Sequence, residues 1–315
     1  MKNVLIDTDP GMDDALAIAL AFKSSALTVR AITAVTGNLP ADRTAANALR
    51  VLDLLAAPAI PVARGPLMPS GGSYPSDPFS HGSDGLAESN LPTSERILDG
   101  RGAAQLIVDT VAEHAGDITI CALGPLTNIA EALAIDPELP SKVDRLIIIG
   151  GSFGETPYAW SQATGDNPVS EWNIFVDPEA AHLVFNAGFD LLAIGLDVAT
   201  HPSINFTPGH LDALRASTTP EAALAVRVVE FVNGRGYQSY CSLIDSVAVA
   251  AAIDDSLVTT TTLRCDVATE DRLTRGMTVV DRRMHHQWTD LPEITVAADL
   301  DYGRFLDLVT RELAS

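Results

Sequence analysis

The pattern of apolar and polar positions predicts strands alternating with helices through the first two thirds of the chain. Short apolar runs that read as buried strands lie at 4–6, 27–35, 118–122, 145–149 and 191–195. Segments with helical spacing of apolar residues lie at about 13–22, 41–55, 103–114, 128–133 and 178–186. This order predicts an α/β fold, a single domain over residues 1–315 with a mostly parallel central sheet flanked by helices on both faces, Rossmann-like in layout. Ligands of such sheets bind beyond the carboxyl ends of the strands, so we expect the chemistry there.

Two long irregular segments, 65–100 and 152–170, are rich in Gly, Pro, Ser and Asp. Loops of this length inside a compact domain are usually functional or mobile. From residue 208 onward the pattern predicts two or three further helices and some strand-like runs of Thr and Val.

The composition mainly excludes classes of partner and location. Hydrophobic residues make up 47% of the 315 residues and charged residues 19%, as in a packed globular protein. The net charge of −21 repels the phosphate backbone, so we expect no nucleic-acid partner and favour a small neutral or cationic ligand or a metal. No apolar run approaches the about 18 residues that a membrane span needs.

The cysteines indicate a reducing compartment. Cys121, Cys241 and Cys265 are odd in number and far apart, which fits neither a disulfide framework nor a zinc site. An apolar strand begins at Asn3, which leaves no room for a secretory signal. We therefore expect a cytoplasmic protein.

Four carboxylates follow the first predicted strand within eight residues, in Asp7-Thr8-Asp9-Pro10-Gly11-Met12-Asp13-Asp14. Pro10 and Gly11 indicate a turn, after which Asp13 and Asp14 open a helix. Capping of that helix explains one or two of these acids, but it does not explain Asp7 and Asp9. Hard oxygen ligands at this density suit Ca²⁺ or Mg²⁺, and the absence of His and Cys from the run disfavours zinc.

An Asp-x-Asp after a first strand also occurs in phosphatases of the haloacid-dehalogenase type. Those enzymes would need a downstream Ser or Thr, a Lys and a late acidic pair, and no such set is evident here. That reading also leaves Pro-Gly-x-Asp-Asp unexplained.

The sequence resembles the inosine–uridine-preferring nucleoside hydrolase family in six blocks that occur in the family's order. The hallmark Asp-x-Asp-Pro-Gly-x-Asp-Asp is matched at 7–14. The other blocks are Thr36-Gly37-Asn38, His81-Gly82-Ser83-Asp84-Gly85-Leu86, the run from Leu123 to Ala130, Gly150-Gly151 with Glu171 to Ala180, and Asp245. The resemblance extends over nearly the whole chain.

The resemblance implies hydrolysis of the N-glycosidic bond of ribonucleosides to free base and ribose, with one Ca²⁺ and no organic cofactor. The ion would bind the attacking water and the ribose 2′- and 3′-hydroxyls. Asp9 would be both a calcium ligand and the acceptor of the water's proton, and Asp14, Asp245 and the main-chain carbonyl of Leu123 would complete the protein ligands. Asp7 would orient the site from behind them.

The same resemblance assigns the ribose contacts and the assembly. Asp13, Asn38 and Asn173 would bind ribose hydroxyls, and Glu171 would hold the 5′-hydroxyl. Read without the family, Asn38 is equally a turn residue and Glu171 an exposed acid. The resemblance also implies a homodimer or homotetramer.

This sequence departs from the family at two positions. Ile244 stands directly before Asp245, where the well-characterised members carry a His that assists the leaving base. His81 is then the candidate for leaving-group activation, the alternative being a solvated loop histidine. Gly165 stands where the family often has Asn, and Asp166 or Asn167 would have to replace it.

The base contacts are the least determined part of the site. The candidates for stacking on the base and reading its edge lie upstream of Ile244 and are Tyr237, Gln238 and Tyr240. The two tyrosines are equally plausible as helix core. Trp160, in a loop that also carries Tyr158, could stack on a purine. We expect a slight preference for uridine and other pyrimidines, or broad specificity.

A binding protein is the alternative from a different functional class. A calcium-dependent nucleoside- or ribose-binding protein without turnover would explain Ile244, whereas the intact Asp9 favours an enzyme.

Overall fold

The computed structural model describes residues 1–74 and 80–315. The strands are β1 Lys2–Thr8, β2 Leu27–Ala34, β3 Val62–Arg64, β4 Ile118–Ala122, β5 Arg145–Ile149, β6 Leu191–Ile194, β7 Val258–Val267, β8 Thr278–Val280 and β9 Glu293–Leu300. The helices are α1 Met12–Lys23, α2 Ala41–Leu54, α3 Ala103–Glu113, α4 Thr127–Ile135, α5 Leu139–Lys142, α6 Tyr158–Ser161, α7 Trp172–Val176, α8 Pro178–Phe185, α9 Leu196–Ala199, α10 Pro208–Ala216, α11 Pro220–Gly234, α12 Ser246–Ile253 and α13 Tyr302–Ala314.

The strands form a nine-stranded sheet in the order β3-β2-β1-β4-β5-β6-β9-β7-β8. The first seven strands in this order are parallel to one another, and β7 and β8 add antiparallel pairings at one edge. The predicted mostly parallel α/β sheet is therefore confirmed.

Helices cover both faces of the sheet because successive residues of its strands point to opposite sides. In β1, Val4 and Ile6 pack in an apolar cluster that includes residues of α1, α11, α12 and α13. Leu5 points the other way and packs in a second cluster with residues of α3, α4 and α8. Strands buried on both faces explain the continuous apolar runs of the sequence.

The structure differs from the sequence prediction in its last third and in its shortest strands. In the described residues the tail from residue 208 contains four helices, α10 to α13, instead of two or three. The three-residue strands β3 and β8 are too short to show a hydrophobic period, and α12 is apolar all round. Among the described residues no helix is long and apolar enough to cross a membrane.

Candidate active site

The acidic residues converge at the carboxyl end of β1. The chain turns at Pro10 and Gly11, which brings Asp13 and Asp14 into the first turn of α1. Asp245 comes from the start of α12, and one carboxylate oxygen from each of these three residues lies within 4.8 Å of the other two. All three residues are buried, and within residues 1–74 and 80–315 no Lys or Arg forms an ion pair with them.

Burial and mutual repulsion perturb these carboxyl groups. Burial, followed by the charge of Asp14, raises the pKa of Asp9 well above its usual value. Burial and the charges of Asp13 and Asp14 do the same to the pKa of Asp245. Burial also raises the pKa of Asp13 to about 7 and that of Asp14 to about 6. A group of buried carboxylates in their charged form lowers the stability of the folded state unless a cation neutralises it.

The donor set of this cluster fits a hard cation. Asp9 Oδ1 and Asp13 Oδ1 are buried and have no hydrogen-bond partner among the described atoms. The cluster consists of carboxylate oxygens without sulfur, which suits Ca²⁺ or Mg²⁺ and not Zn²⁺.

Two glycines let the chain close around Asp9. A side chain at Gly37, after β2, or at Gly124, after β4, would collide with the Asp9 carboxylate. Asn38 binds the same carboxylate, donating its backbone N–H to Asp9 Oδ2 at 2.6 Å. The Asn38 amide also donates to Asp14 Oδ2 at 3.2 Å. The Thr36-Gly37-Asn38 block therefore fixes the position of Asp9.

Asp7 lies behind this group and is not among the residues that line the cavity described below. Its Oδ1 accepts hydrogen bonds from Thr33 Oγ1 at 2.6 Å and from Asn128 Nδ2 at 2.7 Å. Burial raises the pKa of Asp7 to about 7. Its carbonyl oxygen accepts the N–H of Leu123 at 2.7 Å, which ties β1 to the end of β4. The sequence did not single out Thr33 or Asn128, although Asn128 lies in a matched block.

A cavity of about 350 Å³ opens above the acidic cluster. The predicted site residues that line it are Asp13, Asn38, His81, Leu123, Glu171, Asn173, Tyr237, Tyr240, Ile244 and Asp245. Asp9 and Asp14 lie beneath its floor, with exposed fractions of 1% and 0%. The structure thus brings together residues that are up to 232 positions apart in the sequence, between Asp13 and Asp245.

Glu171 and Asn173 form one wall at the start of α7. The Glu171 carboxylate accepts the backbone N–H groups of Asn173 at 2.9 Å and of Ile174 at 3.0 Å. Burial raises the pKa of Glu171 to about 7. The Asn173 side-chain amide donates to the carbonyl oxygen of Leu123 at 2.7 Å and to that of Ile149 at 3.0 Å.

His81 lines the cavity together with Ile244. Its Nδ1 accepts the N–H of Met12 at 3.3 Å and lies 3.6 Å from Asp13 Oδ1. A side chain at Gly11 would collide with the His81 ring and with the Asn38 amide. The 65–100 loop, in its described part, therefore brings this histidine to the start of α1.

The segment around Gly165 places neither Asp166 nor Asn167, the two candidates to replace the family's Asn, in the cavity. Asp166 is exposed. The Asn167 amide donates to the carbonyl oxygen of Arg275 at 2.8 Å. Trp160 is 51% exposed and packs over Gly154. The segment instead contributes Ser161, Gln162, Ala163 and Thr164 to the cavity, and Trp172 follows them.

Gln238 does not line the cavity, whereas its neighbours Tyr237 and Tyr240 do. Its side-chain oxygen accepts the amide of Asn205 at 3.1 Å. Asn205 Oδ1 in turn accepts the backbone N–H of Tyr240 at 2.9 Å. Gln238 therefore supports Tyr240 through Asn205. Sequence reasoning also missed Arg235 and Phe231, which line the cavity from the end of α11 and carry no motif.

Comparison with known proteins identifies the family of this arrangement. The family model described as inosine-uridine preferring nucleoside hydrolase matches residues 4–307. An inosine-uridine preferring nucleoside hydrolase of Leishmania major is 34% identical over 314 residues, which cover 98% of this chain and 96% of that protein. The pyrimidine-specific ribonucleoside hydrolase RihA of Klebsiella pneumoniae is 34% identical over 317 residues, covering 99% and 98%.

A solved plant nucleoside hydrolase has the same fold, with a TM-score of 0.88 and 33% identity over 100% of this chain and 99% of that one. The match along 4–307 leaves the phosphatase alternative without support. The chain belongs to the inosine–uridine preferring nucleoside hydrolase family and is, like its relatives, an N-glycosidase that hydrolyses ribonucleosides.

Proposed function

We propose that the enzyme hydrolyses ribonucleosides with the help of a calcium ion held by Asp9, Asp14, Asp245 and the carbonyl oxygen of Leu123. The observation that carries this proposal is the group of buried carboxylates that forms no ion pair with a Lys or Arg of the described residues. Carboxylates combined with a main-chain carbonyl are typical ligands of Ca²⁺, whose coordination number leaves room for water and sugar hydroxyls. When bound, the ion would make the attacking water more acidic and orient it toward the sugar.

Asp9 accepts the proton of that water. Its Oδ2 already accepts the N–H of Asn38, whereas its Oδ1 has no hydrogen-bond partner among the described atoms. We therefore assign the proton to Oδ1. Gly124 lies against Oδ1 and Gly37 against Oδ2, which leaves the carboxylate no room to move. Asp7, fixed by Thr33 and Asn128, supports β1 from behind.

Four side chains hold the ribose. Asp13, Asn38 and Asn173 bind ring hydroxyls, and Glu171 binds the 5′-hydroxyl. Both described hydrogen bonds of the Asn173 side chain are made by its amide nitrogen, so its Oδ1 remains to accept a hydroxyl. Orientation of this kind contributes to rate because the sugar is presented to the water in a reactive geometry.

His81 assists the departing base in place of the residue that Ile244 replaces. Because Nδ1 of His81 accepts the N–H of Met12, its proton resides on Nε2, which can donate. Ile244 itself offers only an apolar surface to the cavity.

Tyr237 and Tyr240 contact the base, next to the apolar surface of Ile244, and we propose a preference for uridine and other pyrimidines. The cavity of about 350 Å³ lies at the small end of the about 300–1,000 Å³ that ligand sites span. The similarity to a relative named pyrimidine-specific supports the same preference.

We also propose that residues 1–315 act as one domain, in a cytoplasmic homodimer or homotetramer. A sheet that runs from β3 to β8 supports the single domain. Cys121, Cys241 and Cys265 are all free, as expected in a reducing compartment.

The test is release of free base from uridine, cytidine, inosine and adenosine, with calcium and with a chelator. We expect release that the chelator abolishes and that excess calcium restores, with the pyrimidine nucleosides cleaved fastest. Release that persists in the chelator would contradict the role of the ion. Tight nucleoside binding without release, in protein that contains calcium, would favour the binding-protein alternative.

A further inference from the structure

Gln162 and Tyr240 come from distant parts of the sequence and meet in the wall of the cavity. The Tyr240 hydroxyl donates to Gln162 Oε1 at 3.0 Å, and both residues line the cavity. Gln162 ends α6, and Tyr240 lies in the 3-10 turn Ser239–Ser242. The proposed mechanism gives Gln162 no role, although it joins the two segments that border the base.

The two segments are held in place independently of each other. The backbone of Tyr240 is fixed by Asn205, as described above. On the other side, the buried carboxylate of Asp197 accepts the N–H groups of Phe153 at 2.8 Å and Glu155 at 2.6 Å, just before α6. The pair is therefore preorganised, which is the condition under which hydrogen-bond donors stabilise developing charge most effectively.

This wall presents hydrogen-bond donors to a ligand. Because Gln162 Oε1 is occupied by the Tyr240 hydroxyl, the group that Gln162 offers is its amide nitrogen. Arg235, whose guanidinium has donors only, lines the same cavity. Burial raises the pKa of Tyr240, so its hydroxyl keeps the proton that it donates to Gln162 and holds the Gln162 amide in its orientation. Donors match a carbonyl oxygen of a base and not an exocyclic amine.

We propose that the Gln162 amide, which the Tyr240 hydroxyl orients, donates to a carbonyl oxygen of the base and stabilises the negative charge that the base acquires as it leaves. The inference rests on the proposed function. When the C1′–N bond breaks, its electron pair departs with the base and spreads onto the carbonyl oxygens of uracil or hypoxanthine. The water oxygen bonds to C1′, one water proton passes to Asp9, and a proton returned to the base gives neutral base and ribose. Since Ile244 cannot donate a proton, donors on the carbonyl oxygen carry more of the stabilisation.

The test compares substrates that need this help to different degrees, on the calcium-loaded enzyme. Tyr240→Phe and Gln162→Met should each lower kcat/KM for uridine by about 10- to 100-fold, mainly through kcat, as expected for one hydrogen bond to a charged group. The loss should be smaller for 5-fluorouridine, because fluorine makes the base a better anionic leaving group. The 4-nitrophenyl β-riboside has no base carbonyl, and its rate should stay within about threefold.

Two further variants sharpen the comparison. Gln162→Glu replaces the donor with an acceptor, so the ratio of kcat/KM for uridine to that for cytidine should fall. Tyr158→Phe removes a tyrosine hydroxyl from the same segment at a residue that does not line the cavity and packs against His201. This control should leave every rate unchanged.

Each other outcome is decisive. If the variants lose kcat/KM equally on uridine, 5-fluorouridine and the nitrophenyl riboside, the pair only shapes the cavity. If kcat/KM for uridine is unchanged, the pair does not contribute to catalysis. Either result overturns this inference and leaves the proposed function intact. A wild-type enzyme that cleaves the nitrophenyl riboside but not uridine or inosine would overturn the inference together with the proposed preference for uridine. A wild-type enzyme that cleaves none of these ribosides would overturn the proposed function, and the inference with it.

Discussion

Removal of calcium should destabilise the enzyme, and Asp245→Asn should weaken that response. Without the ion, Asp9, Asp13, Asp14 and Asp245 share one site, and none of them is more than 7% exposed. Their raised pKa values reflect burial and mutual repulsion. A bound cation offsets both effects in the folded state and has no comparable site in the unfolded chain.

The size of the effect follows from mass action. With free calcium at about 100 times the dissociation constant, binding stabilises the folded state by about 2.7 kcal/mol. For a chain somewhat longer than 250 residues, each kcal/mol shifts Tm by about 2 °C, so a chelator should lower Tm by about 5 °C. In Asp245→Asn one ligand and one buried charge are lost. In chelator, the Tm of the variant should therefore equal or exceed that of the wild type. Added calcium should raise the Tm of the variant by less.

Asp245 is the best position for this test because its side chain does not cap α12. Asp14 is less suitable, since Thr8 and the N–H of Gly11 both donate to its carboxylate. Asp212→Asn is the matched control, because its exposed carboxylate lies outside the site. Thermal unfolding followed by circular dichroism at fixed calcium activities measures the response of all three proteins.

The response should also depend on pH. The carboxyl groups of Asp13 and Asp14 have pKa values raised to about 7 and about 6, so between about pH 4 and pH 7 the calcium-free folded state binds more protons than the unfolded state. Its stability therefore falls as the pH rises through that range, and calcium should stabilise more at pH 8 than at pH 6. If the chelator leaves the Tm of the wild type unchanged, the assignment of the ion to this cluster is refuted. The same holds if calcium raises the Tm of Asp245→Asn as much as that of the wild type.

Two further substitutions probe the proton transfers, and a third probes the titration of Glu171. Asp9→Ala removes the proton acceptor that we propose and should lower kcat for uridine by about 10²- to 10⁴-fold, measured as release of uracil. A near-normal rate would exclude Asp9 as the acceptor of the water's proton. Ile244→His should raise kcat most for nucleosides with poor leaving groups, and an unchanged rate would indicate that His81 already supplies this help. Glu171→Gln should flatten the fall in stability between about pH 4.5 and pH 7, because Glu171, with its pKa raised to about 7, destabilises the folded state as it ionises. Urea unfolding across that range measures the effect, and an unchanged slope would show that Glu171 does not titrate there.

The sequence indicates the acidic cluster because its information is local. Asp7, Asp9, Asp13 and Asp14 follow one buried strand, and their spacing alone indicates a cation site. The parallel strands are also predicted well, because strands buried on both faces are apolar throughout. Asp245 is not local, and only its match to a family block connects it with β1.

The wall of the cavity that carries Gln162 and Tyr240 is predicted poorly for a physical reason. Gln162 follows a four-residue helix whose position depends on hydrogen bonds to Asp197, which lies beyond the next strand in the sequence. Gln238 was a candidate to read the base edge, but it does not line the cavity, and among the described contacts it supports Tyr240 through Asn205. No periodicity records such long-range contacts, so neither Gln162 nor the outward position of Trp160 was foreseen.

This division between the acidic cluster and that wall of the cavity has a functional consequence. The carboxylates to which we assign the water and the ribose are buried beyond the carboxyl ends of the central strands, where Gly37 and Gly124 leave Asp9 no room to move. The groups that we propose face the base lie on short turns that are fixed by hydrogen bonds from a few side chains. A substitution in the α6 segment can therefore change which base is cleaved without displacing Asp9, whereas a side chain at Gly37 or Gly124 should impair the cleavage of every substrate.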